Sequence, residues 1–190
     1  MKQTLKSVRA LAATLITLGS LAGGANAATL TFGNTELFPA SGYTESGFIV
    51  TATTEFNAIS DAADSGFSSH YFTYQGQGST TTASIALISG ESFDFQSVDI
   101  GLGEFANASF TDITFLGTLA GGGTLTTTFT NVSAVQNVVL NWTGVTSVKV
   151  SGSDDPAFDN VSVTAVPEPS SAIIAGLGLL SLAARRRRLK

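Results

Sequence analysis

Cysteine is absent from this chain, and histidine occurs once, as His70. The first absence excludes disulfide staples, thiolate nucleophiles and cysteine-ligated zinc. The second removes His clusters as metal ligands, and no nucleophile-elbow pattern surrounds any serine. Basic residues are nearly missing from the middle of the chain: of nine Lys and Arg, only Lys149 lies between Arg9 and Arg185. All fourteen Asp and Glu fall between Glu36 and Glu168. A body with that balance repels phosphate backbones, so nucleic-acid binding is excluded on electrostatic grounds. The same acidity serves solubility or the attraction of divalent cations. An active cleft also usually sets Arg, Lys or His beside its acids, and the body offers only Lys149 and His70. Enzymatic activity is therefore not expected.

The basic residues that do exist mark the two ends. Lys2, Lys6 and Arg9 precede the apolar stretch Ala10 to Leu18, and small residues lead to Ala25-Asn26-Ala27. This order fits a secretory signal peptide over residues 1–27, with Ala25 and Ala27 in the A-x-A cleavage pattern. Signal peptidase and the general secretion machinery are the partners it implies. At the other end, Val166-Pro167-Glu168-Pro169-Ser170 is followed by an apolar run to Ala184 and then Arg185-Arg186-Arg187-Arg188. The prolines fix φ and bias the residues before them toward extended geometry, which suits an enzyme groove. From Ser170 to Ala184 there are fifteen residues. As a helix they reach roughly 22 Å, short of a hydrocarbon core of about 30 Å. Four consecutive arginines decide the matter: they end a buried helix only at great cost, but they snorkel readily at a membrane surface. A single transmembrane helix over 170–184 is expected, with Arg185 to Arg188 as a cytoplasmic stop and the body outside.

Between these ends the chain is rich in Thr, Ser, Gly, Val and Phe and lacks long runs of helix formers. Short alternating segments separated by Gly, Asn and Asp predict an all-β domain over 28–165, an antiparallel sandwich of the jelly-roll kind. Strand character starts at Ala28 to Phe32. Phe48 and Val50 share a face, and Ser84 to Ile88 is a short strand. Phe93 and Phe95 face one way, then Val98 and Ile100 continue in shifted phase, as a bulge produces. Ile113 and Phe115, a Gly121-Gly122-Gly123 turn, and Leu125, Thr127 and Phe129 read as a hairpin. Val135 to Trp142 and Val145 to Val150 read as another pair. Val161, Val163 and Ala165 share a face in the last strand.

The tail closely resembles the PEP-CTERM protein-sorting signal, on Val166 to Ser170, the Ala/Gly/Leu-rich run and Arg185 to Arg188. That family's proteins are exported by Gram-negative bacteria, often ones that make exopolysaccharide and grow as biofilms. The resemblance implies an exosortase as partner, an integral-membrane cysteine transpeptidase that processes the tail. Pro167, Glu168 and Pro169 are then the recognition residues, and this chain is the substrate. It also implies passage through the inner membrane, transient anchoring there, and delivery to the cell surface or extracellular matrix.

The body resembles jelly-roll modules with galactose-binding-like folds, on Gly90 to Phe95, Gly121 to Thr124 and Phe158 to Val163. In such modules an Asp of the last strand helps hold a structural calcium ion, and Asp159 is the matching position. Glu36 is a candidate partner by its place in the chain. Asp154, Asp155 and Asp159 form the densest acidic group, without the spacing of an EF-hand. Tyr43, Tyr71, Tyr74 and Trp142 are candidates for stacking on sugars if exposed, and for the core if not. Four Asn-x-Ser/Thr tripeptides, at Asn107, Asn131, Asn141 and Asn160, match an acceptor for glycosylation and equally a turn signal. The expected function is that of a non-enzymatic surface or matrix protein. The alternatives are a calcium-stabilised carbohydrate-binding module and, further off, a secreted hydrolase with a carboxylate pair in a cleft.

Overall fold

The alternation read from the sequence becomes eleven strands in the computed structural model. They are β1 (Asn26–Leu30), β2 (Tyr43–Glu45), β3 (Phe48–Ala52), β4 (Asn57–Ser60), β5 (Tyr71–Tyr74), β6 (Thr82–Leu87), β7 (Phe93–Leu102), β8 (Thr111–Leu119), β9 (Thr124–Val132), β10 (Gln136–Gly152) and β11 (Pro156–Ala165). The structure describes residues 26–33, 42–53, 57–61, 65–74, 82–104, 106–107 and 109–166. The expected signal-peptide core, Glu36, the sorting residues 167–169, the transmembrane run 170–184 and the arginine stop lie outside the described residues. Among the described residues no helix is long and apolar enough to cross a membrane.

Every strand pairing is antiparallel, and the hydrogen-bonded order runs β2-β3-β6-β10-β7-β11-β5-β4, with β1 on β11 and β9 on β8. The long β10 makes two facing halves out of this one ladder. Its first half descends β7, from Gln136 opposite Ile100 to Val145 opposite Phe93. Its second half climbs between β6 and β8, where Val148 pairs with both Ile85 and Gly117 and Gly152 faces Ile113. Register shifts around Trp142 and Val145 mark the corner. Asn141 and Gly144 take positive φ there, 50° and 65°. The expected pairing of 135–142 with 145–150 is therefore not what forms. Each segment joins a different half of the sheet.

The halves meet through aromatic side chains. Phe48 lies 5.1 Å from Phe93 and Phe95 lies 6.0 Å from Phe115, measured between ring centroids. Tyr74 Oη donates to Val150 O at 2.6 Å, satisfying a phenol that is otherwise enclosed. With no disulfide, stability rests on this burial, about 2–3 kcal/mol for each fully enclosed large apolar side chain. Trp142 belongs to the same core. Its indole lies over Gly117, where a Cβ would stand 2.8 Å from Trp142 Cε3. The glycine in β8 is thus the floor of the tryptophan site.

The expected phase change in β7 is present: Phe93, Phe95, Val98 and Ile100 are all fully buried. It is matched across the ladder by register shifts in β11 between Asp159 and Val163. The β8–β9 hairpin forms as read, with Ile113 opposite Phe129 and Gly117 opposite Leu125. Asn131, Asn141 and Asn160 all adopt φ near +50°. Asn tolerates that left-handed region better than most residues, so three of the four Asn-x-Ser/Thr tripeptides have a backbone reason for their Asn.

The outcome is an all-β, antiparallel, jelly-roll-like domain in which the compact unit runs from Asn26 to Val166. β1 begins two residues before the expected mature N-terminus at Ala28, with Asn26 opposite Ala165 and Ala27 opposite Thr164.

Candidate functional site

Two places in the fold hold the residues singled out by sequence: the end of β11, where the sorting segment leaves, and the polar groups along β11 itself. β11 lies between β7 and the short strands β1 and β5. Its last residue, Ala165, pairs with Phe93 on one side and Asn26 on the other. Val166 N then donates to Ser92 O at 3.2 Å. Both ends of the domain therefore emerge side by side, and the sheet holds the chain up to the residue before Pro167.

The acidic trio near the start of β11 is split among separate partners. Asp154 Oδ2 accepts from Asn107 N at 2.9 Å. Asp155 is fully buried, and its Oδ1 accepts from Thr73 Oγ1 at 2.7 Å. Asp159 is also buried, accepting from Ser69 Oγ at 2.6 Å and from Asn160 N at 2.7 Å. Burial pushes its carboxyl up to about 6, against the pull of the two hydrogen bonds, and the nearby charges of Asp99 and Glu45 add to the rise. Asp99 is its register partner on β7, and its oxygens accept from Asn137 Nδ2 and Asn160 Nδ2. Among the described residues no group of three or more His, Asp or Glu is gathered as a metal site. The other named calcium candidate, Glu36, lies outside them, so no ion enters the geometry that follows.

Sequence reading missed Glu45. Its Oε2 accepts from Thr31 N at 3.0 Å, Phe32 N at 3.1 Å and Tyr43 Oη at 3.2 Å. Phe32 and Gly33 have positive φ of 56° and 69°, which turns successive amides toward one anion, a nest filled here by the domain's own carboxylate. Burial, then the Glu45 charge, pushes the Tyr43 phenol up to about 12. The signal for this was only the alternation Tyr43-Thr44-Glu45, which does not announce a backbone partner far away in sequence.

The aromatic candidates for sugar stacking divide against that role. Tyr71 and Tyr74 are fully buried, and Trp142 is 9 % exposed. Tyr71 stacks on Phe67 at 4.7 Å, in a small second cluster with Ala157. Tyr43 is half-buried against Phe32. His70 sits in the loop just before β5, as a lone half-buried residue.

The tail matches a known motif. Residues 165–188 match the family model of the PEP-CTERM protein-sorting motif. That motif implies processing by an exosortase, and with it export and membrane-anchored sorting. The expected recognition residues Pro167, Glu168 and Pro169 fall within the match.

No curated protein matches the chain. Among solved structures, the chain is similar to the C-terminal family 22 carbohydrate-binding module of Clostridium thermocellum Xyn10B, at 15% identity and TM-score 0.41 over 74% of this chain and 94% of that one. It is also similar to CBM51 from Clostridium perfringens, solved with methyl-galactose, at 14% identity and TM-score 0.39, over 68% of this chain and 99% of that one. A third similarity is to the enzymatically active domain of a Bacteriophage CBA120 tailspike protein, at 10% identity and TM-score 0.36. It covers 64% of this chain and 20% of the tailspike. Likeness at this level says nothing about a ligand.

Proposed function

We propose that this protein is a non-enzymatic surface or extracellular-matrix component. On this reading it crosses the inner membrane, is held there by its tail, is processed by an exosortase and is then delivered outside the cell among exopolysaccharide. The observation that carries the reading is the sorting motif at residues 165–188. Its continuity with β11 adds support, because the folded domain is presented as cargo directly ahead of the recognition residues. The scarcity of cationic and imidazole groups in the body supports a non-catalytic role, as does the engagement of Asp155 and Asp159 in hydrogen bonds within the domain. Replacing Pro167-Glu168-Pro169 by three alanines tests it. Tail processing and surface delivery are expected to stop while the domain remains exported.

A calcium-stabilised carbohydrate-binding module is the second reading, supported by the place of Asp159, a buried carboxylate in the last strand with Asp99 opposite it in the register. With Tyr71, Tyr74 and Trp142 in the core, its sugar surface would be built from other side chains. A glycan array with the 28–166 fragment, with and without calcium, distinguishes the two readings. Binding to a matrix polymer favours the module, and silence on every glycan favours the plain structural component.

A further inference from the structure

The domain leaves no spacer before the residues its processing enzyme must grip. β11 keeps register through Ala165, and Val166 N is bonded to Ser92 O. Pro167 is the next residue in the chain. Neighbouring Cα atoms are about 3.8 Å apart, and three extended residues reach at most about 11 Å. That is less than the radius of even a small folded domain, about 13 Å. An enzyme closed around residues 167–169 therefore touches the domain for as long as β11 stays paired.

The face it would meet is defined by the strands that end there. Beside Ala165 lies Phe93; Phe93 pairs with Val145, and Val145 with Leu119, which leads into the tip of the β8–β9 hairpin. Ala120 N bonds to Gly144 O and Gly144 N to Asp94 Oδ1, tying tip, corner and β7 together. The side chains at this end are small. Ser89, Gly90 and residues 120–123 are exposed, and nothing stands within 4 Å of a Cβ placed on Gly121, Gly122 or Gly123. Among the described residues, Glu91 is its exposed carboxylate, with Asp94 half-buried nearby, and Ile88, 61 % exposed, is its exposed large apolar group. The acids Glu104, Asp112 and Asp154 lie at the other end, where Leu102 meets Pro156 and Gly152 meets Ile113. A small-residue, weakly charged end permits close approach to an enzyme embedded in an anionic membrane, and a ring of acids would not.

We propose that this end, made of the 88–92 turn and the β8–β9 hairpin tip, is a docking face for the exosortase that processes the tail. The proposal rests on the sorting reading above and adds the contact surface to it. Gly121 suits the test, because its φ is not in the left-handed region and its Cβ position is open, so a large side chain there leaves the fold intact. Glu91 is exposed and lies next to Ser92.

The experiment is a pulse–chase of tail removal from the full-length chain in cells with an exosortase. Glu91→Trp and Gly121→Trp are each made with and without an eight-residue Gly-Ser spacer between Val166 and Pro167. Without the spacer, Glu91→Trp slows processing about tenfold and Gly121→Trp, three strands away, slows it less. With the spacer, which extends to at most about 29 Å, both regain the wild-type rate. Wild-type rates without the spacer overturn the docking face, as does a defect that the spacer fails to relieve. A defect that disappears when the enzyme is assayed in detergent assigns the contact to the lipid surface and also overturns it. The sorting reading fails separately, if the three-alanine replacement at 167–169 is processed normally.

Discussion

Gly103→Ala is the sharpest test of how the end of the domain opposite the sorting segment is built. A Cβ on Gly103 would stand 2.2 Å from Thr73 Oγ1 and 2.5 Å from Asp155 Oδ2. Both side chains are fully buried and joined by a 2.7 Å hydrogen bond, and Gly103 N itself donates to Asp155 O at 2.8 Å. The methyl thus has no flexible side-chain end to push aside. Either the Thr73–Asp155 bond breaks, or β5 and the start of β11 move apart. Forced overpacking costs about 1–3 kcal/mol. Loss of a buried hydrogen bond to a carboxylate adds about 1.5–3 kcal/mol. A total near 4 kcal/mol corresponds to a fall in Tm of roughly 15 °C for a domain of this size. The assay is thermal denaturation of the 26–166 fragment, with Gly121→Ala as the control. There the Cβ meets nothing, and the alanine lowers the entropy of the unfolded chain, so Tm stays level or rises by the equivalent of about 0.4–1 kcal/mol. A Gly103→Ala variant melting within 2–3 °C of wild type would refute the packing argument, whatever its function.

Three further outcomes follow from named contacts. Asp159 has a carboxyl raised from 3.8 to about 6, so the folded domain holds that proton more tightly than the unfolded chain. The stability this gives is fully present below about pH 4 and is lost as pH rises through about 6, a change of about 1–2 kcal/mol after partial screening. Asp159→Asn should flatten that component, which urea midpoints at pH 4.5 and 7.5 would show; an unchanged slope in the Asn variant sinks the assignment. Trp142→Ala should cost about 3–5 kcal/mol in a urea titration, because the indole fills the space over Gly117 between the halves; a loss below 1 kcal/mol would move Trp142 out of the core. Glu45→Ala strands the amides of Thr31 and Phe32, and β1 should then become protease-sensitive ahead of the rest of the domain, with about 2–3 kcal/mol lost overall. Equal protease resistance of the variant and the wild type would show that pairing with β11 alone secures β1.

Legibility in the sequence followed the range of the cause. The β8–β9 hairpin is written locally, since Ile113 and Phe115, three glycines and Phe129 lie close together in the chain and the period of two needs no distant partner. The phase change in β7 is likewise local, because Phe95 and Val98 are three residues apart and both must face inward. The corner in β10 is not local. Its bend is set by which strands accept its two halves, and Asn141 and Gly144 read equally well as a hairpin turn. Burial of Trp142 and Tyr71 was open in the sequence for the same reason: what covers them, Gly117 and Phe67, is distant or sits in a loop. The carboxylates were legible as types and not as roles. Nothing near Asp155 names Thr73 as its partner, and nothing near Glu45 names the amides of Thr31 and Phe32 that follow β1. The sorting motif at residues 165–188 was legible, because its pattern is linear in the sequence and needs no distant partner.

The measurement that bears most directly on the central claim is tail processing and surface delivery of the full chain with Pro167-Glu168-Pro169 replaced by alanines. The account predicts an exported, folded protein that keeps its tail and stays with the membrane fraction. Processing and release at the wild-type rate would contradict it.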